Sequence, residues 1–307
     1  TQFSFNQAVI TPGMKIDWTL PAGTCTPGPG GCGAVAGDGR ADFDGDGKTD
    51  VSVFRPSEGN WYTNQSTAGF SVINWGISTD ALVPEDFNGD GKTDFAIFRA
   101  NADPSQPDFY ILTSGTFVLQ GASWGVPGDV PVSADYDGDG KADVAVYRAS
   151  DTTWYILKSS DGGNVIVNNP GTTPVPADYS GDGKADGIMF TNGNWTGTTS
   201  TGDPFNFPFG QAGDIPVPGN YDGDNKVDLA VFRPSNATWY ILKSSDGQTI
   251  ITTFGVSTDL PAPGDYDGDG KDDIAIYRDG VWWMNLSGSG VATASFGTAT
   301  DKAIVSS

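Results

Sequence analysis

The chain carries the segment Asp42-Phe43-Asp44-Gly45-Asp46-Gly47-Lys48-Thr49-Asp50, and five close copies of it follow downstream. The copies occupy residues 86–94, 135–143, 178–186, 220–228 and 265–273. Successive copies start 44, 49, 43, 42 and 45 residues apart. A period of about 40 to 50 residues is typical of one four-stranded blade of a β-propeller.

The residues between the copies have the patterns of short β-strands. In the third unit, residues 143–148 alternate as a strand does, and residues 153–158 and 164–168 form two more strands around a Ser-Ser-Asp-Gly-Gly turn. Residues 174–177 form a short fourth strand before the next copy. No segment has the spacing of an amphipathic helix. The sequence therefore predicts an all-β propeller.

The number of blades depends on how the two ends of the chain are used. Six units are explicit, and residues 1–41 are close to one blade in length but lack the nine-residue segment. Residues 2–10 and 14–20 both resemble strands, and residues 301–307 align with the short strand before each copy. We expect seven blades, the seventh shared by both termini, because such closure removes exposed sheet edges. The alternative is that six blades close alone.

Each nine-residue segment has the pattern of a calcium-binding loop. Carboxylates stand at positions 1, 3, 5 and 9, and glycines at positions 4 and 6 allow a sharp turn. Calcium takes about six to eight oxygen ligands, one of them commonly the carbonyl of position 7, where a lysine is therefore acceptable. We expect about six Ca²⁺ ions, one per loop. The predicted ligands, with each lysine acting through its backbone carbonyl, are Asp42, Asp44, Asp46, Lys48, Asp50, Asp86, Asn88, Asp90, Lys92, Asp94, Asp135, Asp137, Asp139, Lys141, Asp143, Asp178, Ser180, Asp182, Lys184, Asp186, Asn220, Asp222, Asp224, Lys226, Asp228, Asp265, Asp267, Asp269, Lys271 and Asp273.

Some loops depart from this pattern but keep an oxygen at every predicted ligand position. Asn88 and Ser180 replace aspartate at position 3, and Asn220 replaces it at position 1. Asn225 replaces the glycine at position 6, and asparagine tolerates the left-handed conformation better than most residues. The fourth and fifth loops are expected to bind calcium more weakly, because they have three carboxylates.

The composition excludes several classes of function. The 307 residues have a net charge of -22, which disfavours binding to nucleic acids and to anionic membrane surfaces. The absence of histidine excludes Ser-His-Asp and Cys-His catalysis and every zinc site that relies on imidazole. No run of apolar residues approaches the roughly 18 that predict a membrane-spanning helix.

Two cysteines, Cys25 and Cys32, stand close together in the N-terminal region. We expect them to form a disulfide, since no further cysteine and no histidine is present to complete a zinc site. A disulfide indicates an oxidising compartment. Thr1 is not an initiator methionine, so we expect a secreted or surface-exposed mature chain whose signal has been removed, or a fragment of a longer protein.

The units resemble FG-GAP/VCBS repeats, the blades of integrin-α-type propellers. The resemblance rests on the Asp-rich loop, on the Val-Phe-Arg strand after it, and on a later aromatic-Gly pair. These pairs are Trp75-Gly76, Trp124-Gly125, Phe209-Gly210, Phe254-Gly255 and Phe296-Gly297. The resemblance covers residues 42–307 and implies a seven-bladed, calcium-stabilised propeller, secreted or surface-exposed, that serves adhesion. The resemblance implies no particular ligand. The fourth unit departs most from the repeat pattern, with Thr191 in place of the arginine.

The repeat divides the chain into an N-terminal segment and six units. Residues 1–41 contain the N-terminal strands and the Cys25–Cys32 loop, and they are expected to close the ring or to be exchanged between copies. The six units are 42–85, 86–134, 135–177, 178–219, 220–264 and 265–307.

We expect a non-enzymatic, extracellular adhesion or structural protein, because the acidic residues outside the loops form no recognisable pair of catalytic carboxylates. In a sharper version of this hypothesis, residues 1–10 add to the open sheet of a neighbouring copy and build a fibre. The expected partners are then a surface protein or further copies of the chain.

The alternative is a lectin-like module that binds glycans, because aromatic side chains recur at one place in the units and suit sugar rings. These are Trp61, Tyr62, Phe109, Tyr110, Trp154, Tyr155, Trp239, Tyr240, Trp282 and Trp283. Packing between blades accounts for the same recurrence. The arginines that recur after the loops are expected to pair with a loop carboxylate or a carbonyl; they are Arg55, Arg99, Arg148, Arg233 and Arg278.

Overall fold

The computed structural model describes residues 41–305, apart from residues 102 and 104, and within this range the chain forms six four-stranded antiparallel sheets. No helix occurs among these residues. The predictions for residues 2–10, 14–20 and the Cys25–Cys32 pair lie outside the described residues. The all-β architecture predicted from the repeat is therefore confirmed.

Every sheet combines a two-residue strand with three longer ones. The strands are β1 (Val51–Arg55), β2 (Asn60–Gln65), β3 (Gly69–Asn74), β4 (Ala81–Leu82), β5 (Phe95–Phe98), β6 (Phe109–Leu112), β7 (Leu119–Ala122), β8 (Val130–Pro131), β9 (Val144–Arg148), β10 (Thr153–Leu157), β11 (Asn164–Asn168), β12 (Thr173–Pro174), β13 (Gly187–Thr191), β14 (Asn194–Thr198), β15 (Pro204–Pro208), β16 (Ile215–Pro216), β17 (Leu229–Arg233), β18 (Thr238–Leu242), β19 (Thr249–Thr253), β20 (Leu260–Pro261), β21 (Ile274–Arg278), β22 (Val281–Leu286), β23 (Gly290–Ser295) and β24 (Lys302–Ala303).

The prediction of seven blades is wrong, because the described residues form a ring of six. Blades 2 to 6 are the consecutive sets β4–β7, β8–β11, β12–β15, β16–β19 and β20–β23. Blade 1 has the order β24-β1-β2-β3, with Val53 opposite Ala303 and Phe54 opposite Lys302. The C-terminal strand thus pairs with the first blade, where it takes the place that the short strand before a loop has in every other blade.

The core lies between neighbouring blades. Phe43 and Trp61 of blade 1 pack with Phe95 and Leu112 of blade 2, and equivalent clusters lie at the other junctions. Trp61 is fully buried, and its Nε1–H donates to the carbonyl oxygen of Trp75 at 2.8 Å. The same hydrogen bond recurs in blades 4, 5 and 6. These recurring tryptophans therefore pack the blades together, and they are unavailable to a ligand.

A second repeated feature joins the first two strands of most blades. In five blades the arginine at the end of the second strand pairs with an aspartate just before the first strand, and both aspartate oxygens take part. These arginines thus pair with a carboxylate, as predicted, but the carboxylate lies in the turn before the first strand and not in one of the nine-residue segments. In blade 4, Thr172 and Thr191 stand where the aspartate and the arginine would be, and the N–H of Thr172 donates to Thr191 Oγ1 at 3.0 Å.

Candidate metal centres

The six nine-residue loops, here called metal loops 1 to 6, contain all the predicted ligands and precede the second strand of each blade. In metal loop 1 the carboxylate of Asp42 accepts hydrogen bonds from the N–H groups of Gly45 at 2.7 Å and Gly47 at 2.8 Å. Both glycines have positive φ angles, 77° and 86°. The position-1 side chain therefore holds the turn closed, and the glycines supply the backbone conformation that the turn requires.

The position-9 carboxylate ties each metal loop to a second turn of the same blade. Asp50 accepts from the N–H of Phe43 at 2.8 Å and from the N–H of Ser66, in the turn between β2 and β3, at 2.7 Å. A serine N–H donates to position 9 in every blade, at 2.6 to 2.7 Å; these serines are Ser66, Ser114, Ser159, Ser200, Ser244 and Ser287.

Most of these serines also bond to the position-5 carboxylate through their hydroxyl group. Ser159 Oγ lies 3.0 and 3.1 Å from the two carboxylate oxygens of Asp139, and Ser244 Oγ bonds to Asp224 in the same way. The nine-residue pattern does not reveal this role, because the serines follow position 9 at distances of 14 to 20 residues. The signal for it in the sequence is the repeated Ser-Ser-Asp-Gly turn, whose pattern by itself predicts only a hairpin.

Three metal loops hold a buried carboxylate oxygen without a hydrogen-bond partner. These atoms are Oδ1 of Asp44, Asp137 and Asp267, all at position 3. In the same three loops, one oxygen from each of three carboxylates lies within 4.8 Å of the others; the sets are Asp42, Asp44 and Asp50; Asp135, Asp137 and Asp143; and Asp265, Asp267 and Asp269. A buried carboxylate oxygen with no donor is costly, so this geometry fits a cation held between the three groups.

The neutral residues that replace an aspartate at position 1 or 3 make hydrogen bonds within their own loops. Asn88 Oδ1 accepts from the N–H of Asp90 at 2.8 Å, and Ser180 Oγ donates to Asp178 at 3.3 Å. Asn220 keeps the position-1 role and accepts from the N–H of Gly223 at 2.8 Å. Metal loops 2, 4 and 5 therefore keep the turn, but each has three carboxylates, so the weaker binding expected of metal loops 4 and 5 applies equally to metal loop 2.

Burial strongly perturbs the carboxylates at positions 1 and 9. Desolvation raises the pKa of Asp42 to about 6, and it raises the pKa of Asp50 and of Asp143 to about 7. Burial likewise raises the pKa of Asp273 to about 6. The ionised form of the carboxylates at positions 1 and 9 is therefore disfavoured unless a positive charge offsets it.

The aromatic residue at position 2, which the sequence analysis did not single out, anchors each metal loop to the core. It is Phe43, Phe87, Tyr136, Tyr179, Tyr221 or Tyr266. Tyr179 and Tyr221 are buried, and their hydroxyls donate to the carbonyls four residues earlier at 3.0 and 2.8 Å. The position-2 side chain thus attaches each loop to the core of its blade.

The family of these repeats follows from a direct comparison. The FG-GAP-like repeat matches residues 42–97, 86–146 and 220–276, which together make up just over half of the chain. The chain belongs to the FG-GAP repeat family, and the resemblance drawn from the motifs is confirmed. No curated protein matches the chain in sequence.

Solved structures of other proteins share the fold. A lectin of Agrocybe aegerita that recognises non-reducing terminal N-acetylglucosamine has a TM-score of 0.57 and 16% identity over 87% of this chain and 84% of the lectin. A catalytically inactive virginiamycin B lyase from Staphylococcus aureus, solved with quinupristin, has a TM-score of 0.51 and 9% identity over 83% of this chain and 87% of the lyase. At such identities the likeness shows the fold alone.

No helix within the described residues is long and apolar enough to cross a membrane.

Proposed function

We propose that this chain is a calcium-stabilised, non-enzymatic propeller that acts outside the cell as an adhesion or structural protein. The observation that carries the proposal is the unpartnered position-3 oxygen of Asp44, Asp137 and Asp267, each buried beside two further carboxylates. About six Ca²⁺ ions would offset a large part of the net charge of -22. In this role the ion holds each metal loop, together with the serine turn that is hydrogen-bonded to it, against the blade.

Calcium is the cation that best suits this set of ligands. The loops offer only oxygen ligands, and the chain contains no histidine. Calcium accepts about six to eight oxygens in an irregular cage, whereas Mg²⁺ demands a near-octahedral one and retains its waters. The predicted ligation by the carbonyls of the position-7 lysines is part of this proposal.

The test is a thermal melt with and without calcium. Ions that bind only the folded state stabilise it, by about 3 kcal/mol per site at a hundredfold excess over the dissociation constant. Removal of calcium with a chelator should lower the melting temperature sharply, and millimolar Ca²⁺ should restore it while Mg²⁺ restores much less. An unchanged melting temperature in excess chelator would contradict the proposal.

The absence of a catalytic role is inferred from the acidic residues outside the loops. Glu58 bonds to the hydroxyl of Tyr62, and Asp151 bonds to the hydroxyl of Tyr155 at 2.9 Å. Asp108 accepts from the N–H of Asn101 at 2.7 Å. Each of these groups serves its own blade, which supports a scaffold in preference to an enzyme.

Self-assembly by strand donation is the finer form of the adhesion proposal. The pairing of β24 with β1 occupies the short-strand edge of blade 1, so residues 1–10 of a neighbour would have to add to an outer strand. The outer strands β11 and β19 carry exposed apolar side chains, with Ile166 58% and Ile251 64% exposed. Light scattering in millimolar calcium, on the chain with and without residues 1–12, tests this. Monomers in both would contradict it.

A glycan-binding role is the second candidate, and one blade departs from the framework in a way that favours it. A cleft of about 170 Å³ is lined by Phe254, Gly255, Ile276, Arg278 and Trp283. In four other blades the residue equivalent to Trp283 is a tyrosine with the blade's arginine stacked on its ring, at 4.2 to 5.2 Å. Trp283 is 39% exposed, which leaves an indole face beside a guanidinium group for a sugar ring.

Saturation-transfer NMR with N-acetylglucosamine and with glucose tests the cleft. Trp283→Tyr restores the residue of the other blades and should abolish the transfer. Tyr240→Trp, at the equivalent place in blade 5, is the matched control and should leave it intact. No transfer to the unmodified protein would contradict glycan binding at this site.

A further inference from the structure

The six metal loops are joined to one another by backbone hydrogen bonds. The N–H at position 8 of each loop donates to the carbonyl at position 1 of the loop before it. Five of these bonds link consecutive loops, at 2.7 to 3.0 Å: Thr93 to Asp42, Ala142 to Asp86, Ala185 to Asp135, Val227 to Asp178 and Asp272 to Asn220. The sixth, from Thr49 to Asp265 at 2.7 Å, closes the circle between the first and last loops.

Two of these links are doubled by side chains. Thr93 Oγ1 accepts from the N–H of Asp42 at 3.0 Å, and Asp272 Oδ2 accepts from the N–H of Asn220 at 2.6 Å. The backbone of a position-1 residue is then held on both sides by the next blade. Its side chain meanwhile holds its own metal loop, so one residue connects the metal site of one blade with the backbone of the next.

The position-7 lysine makes a second connection. Its aliphatic stem lies over the position-4 glycine of the preceding loop, where a methyl group built on Gly138 would lie 3.1 Å from Lys184 Cγ. In the other five loops, the lysine atom nearest to such a methyl group lies 2.7 to 3.3 Å from it. A methyl group built on Gly140, at position 6, would meet nothing within 4 Å. Position 4 is therefore packed against the neighbouring blade, whereas position 6 requires only the backbone conformation.

We propose that the position-7 and position-8 residues of each blade are positioning residues for the calcium site of the preceding blade, so that the six sites fill as one coupled ring. The inference rests on the proposed calcium binding. An ion that orders position 1 of one loop fixes the carbonyl that holds position 8 of the next loop. Position 8 directly precedes the position-9 carboxylate, which is itself a proposed ligand. Binding of one ion therefore fixes a ligand of the next site along the ring.

A calcium-binding isotherm of the full chain, measured by flow dialysis from the metal-free state, tests the coupling. We expect a sigmoidal isotherm with a Hill coefficient of about 2, and Asp137→Ala should weaken calcium binding at the remaining sites by about fivefold. A hyperbolic isotherm, with Asp137→Ala losing one ion and the others unchanged, would overturn the ring and leave calcium binding intact. An isotherm with no bound calcium would overturn both proposals.

Two pairs of variants separate the lysine contact from simple destabilisation. Gly138→Ala and Gly140→Ala place a side chain at similar positive φ angles, 79° and 83°, in the same loop. Both should weaken metal loop 3, but only Gly138→Ala should lower the Hill coefficient. Lys184→Met keeps the aliphatic stem and should retain the cooperativity, whereas Lys184→Ala should reduce it. Equal Hill coefficients in the two members of each pair would show that the lysine stem does not couple neighbouring calcium sites.

Discussion

Arg55 and Asp301 form a bidentate ion pair across the closure of the ring, although they lie 246 residues apart in the sequence. Arg55 Nε and Nη2 each lie 2.9 Å from an oxygen of Asp301, whose side chain is fully buried. In blade 3 the equivalent pair, Arg148 and Asp129, is only 19 residues apart. The chain thus closes its ring with the same interaction that it uses inside single blades.

Loss of the Arg55 side chain should release the C-terminal strand. Arg55→Ala leaves a buried carboxylate without its partner, which costs roughly 3 kcal/mol of unfolding free energy. Because β24 pairs with β1 over only two residues, its amides should also lose hydrogen-exchange protection. Arg148→Ala is the matched control, with a similar loss of stability and normal protection of β24. Full protection of β24 in Arg55→Ala would show that the pair does not hold the closure.

Blade 4 should accept the ion pair that it lacks. Thr172 and Thr191 occupy the positions of the aspartate and the arginine, and the strands that carry them have the register of the other blades. Thr172→Asp alone should destabilise the protein, because it adds an unpaired charge to a chain that is already acidic. The double variant Thr172→Asp/Thr191→Arg should regain the stability that Thr172→Asp loses. In a double-mutant cycle measured by denaturant unfolding, the coupling energy between the two substitutions should be about 1 kcal/mol or more in favour of the pair. Additive effects would contradict the expected pairing.

Carboxylate number should set the calcium affinity of single loops. Asp137→Asn removes a charge from metal loop 3 and should weaken its calcium binding on the order of tenfold, while Asn88→Asp should strengthen binding in metal loop 2 by a similar factor. The two variants exchange the same functional groups in opposite directions, so each controls for the other. Calcium titrations that show no opposite shifts would contradict the assignment of position 3 as a ligand.

The stability of the metal-free protein should fall as the pH rises. Burial raises the pKa of Asp42 to about 6 and of Asp50 and Asp143 to about 7, above the ordinary value of 3.8. The folded state therefore binds these protons more tightly than the unfolded state. The resulting stability is complete below pH 3.8 and is lost as the pH rises through 6 to 7.

Melting temperatures measured from pH 5 to pH 8 test this dependence. In calcium-free buffer they should decrease across that range. In millimolar calcium the decrease should disappear or reverse, because calcium binds the ionised carboxylates and competes with protons at pH 5. A melting temperature that rises with pH in calcium-free buffer would contradict the prediction.

Much of the fold could be predicted because the repeat is a local pattern. The strand predicted over residues 153–158 lies at Thr153–Leu157, and the strand predicted over residues 164–168 lies at Asn164–Asn168. Alternation of side chains and turn residues acts over a few neighbouring positions, which any single unit displays. The position-1 to position-9 pattern of the metal loops is local in the same sense, so the loops were found without the fold.

The closure of the ring and the contacts between loops belong to the tertiary structure. Residues 301–307 carry the pattern of a short first strand, but nothing in that pattern selects β1 over residues 1–41 as its partner. The contacts of Thr49 with Asp265 and of Lys48 with Gly268 likewise join positions more than 200 residues apart. Local sequence dictates which segments become strands and turns, because their preferences act between neighbouring residues. Only the packing of six twisted sheets around one axis decides which distant segments meet.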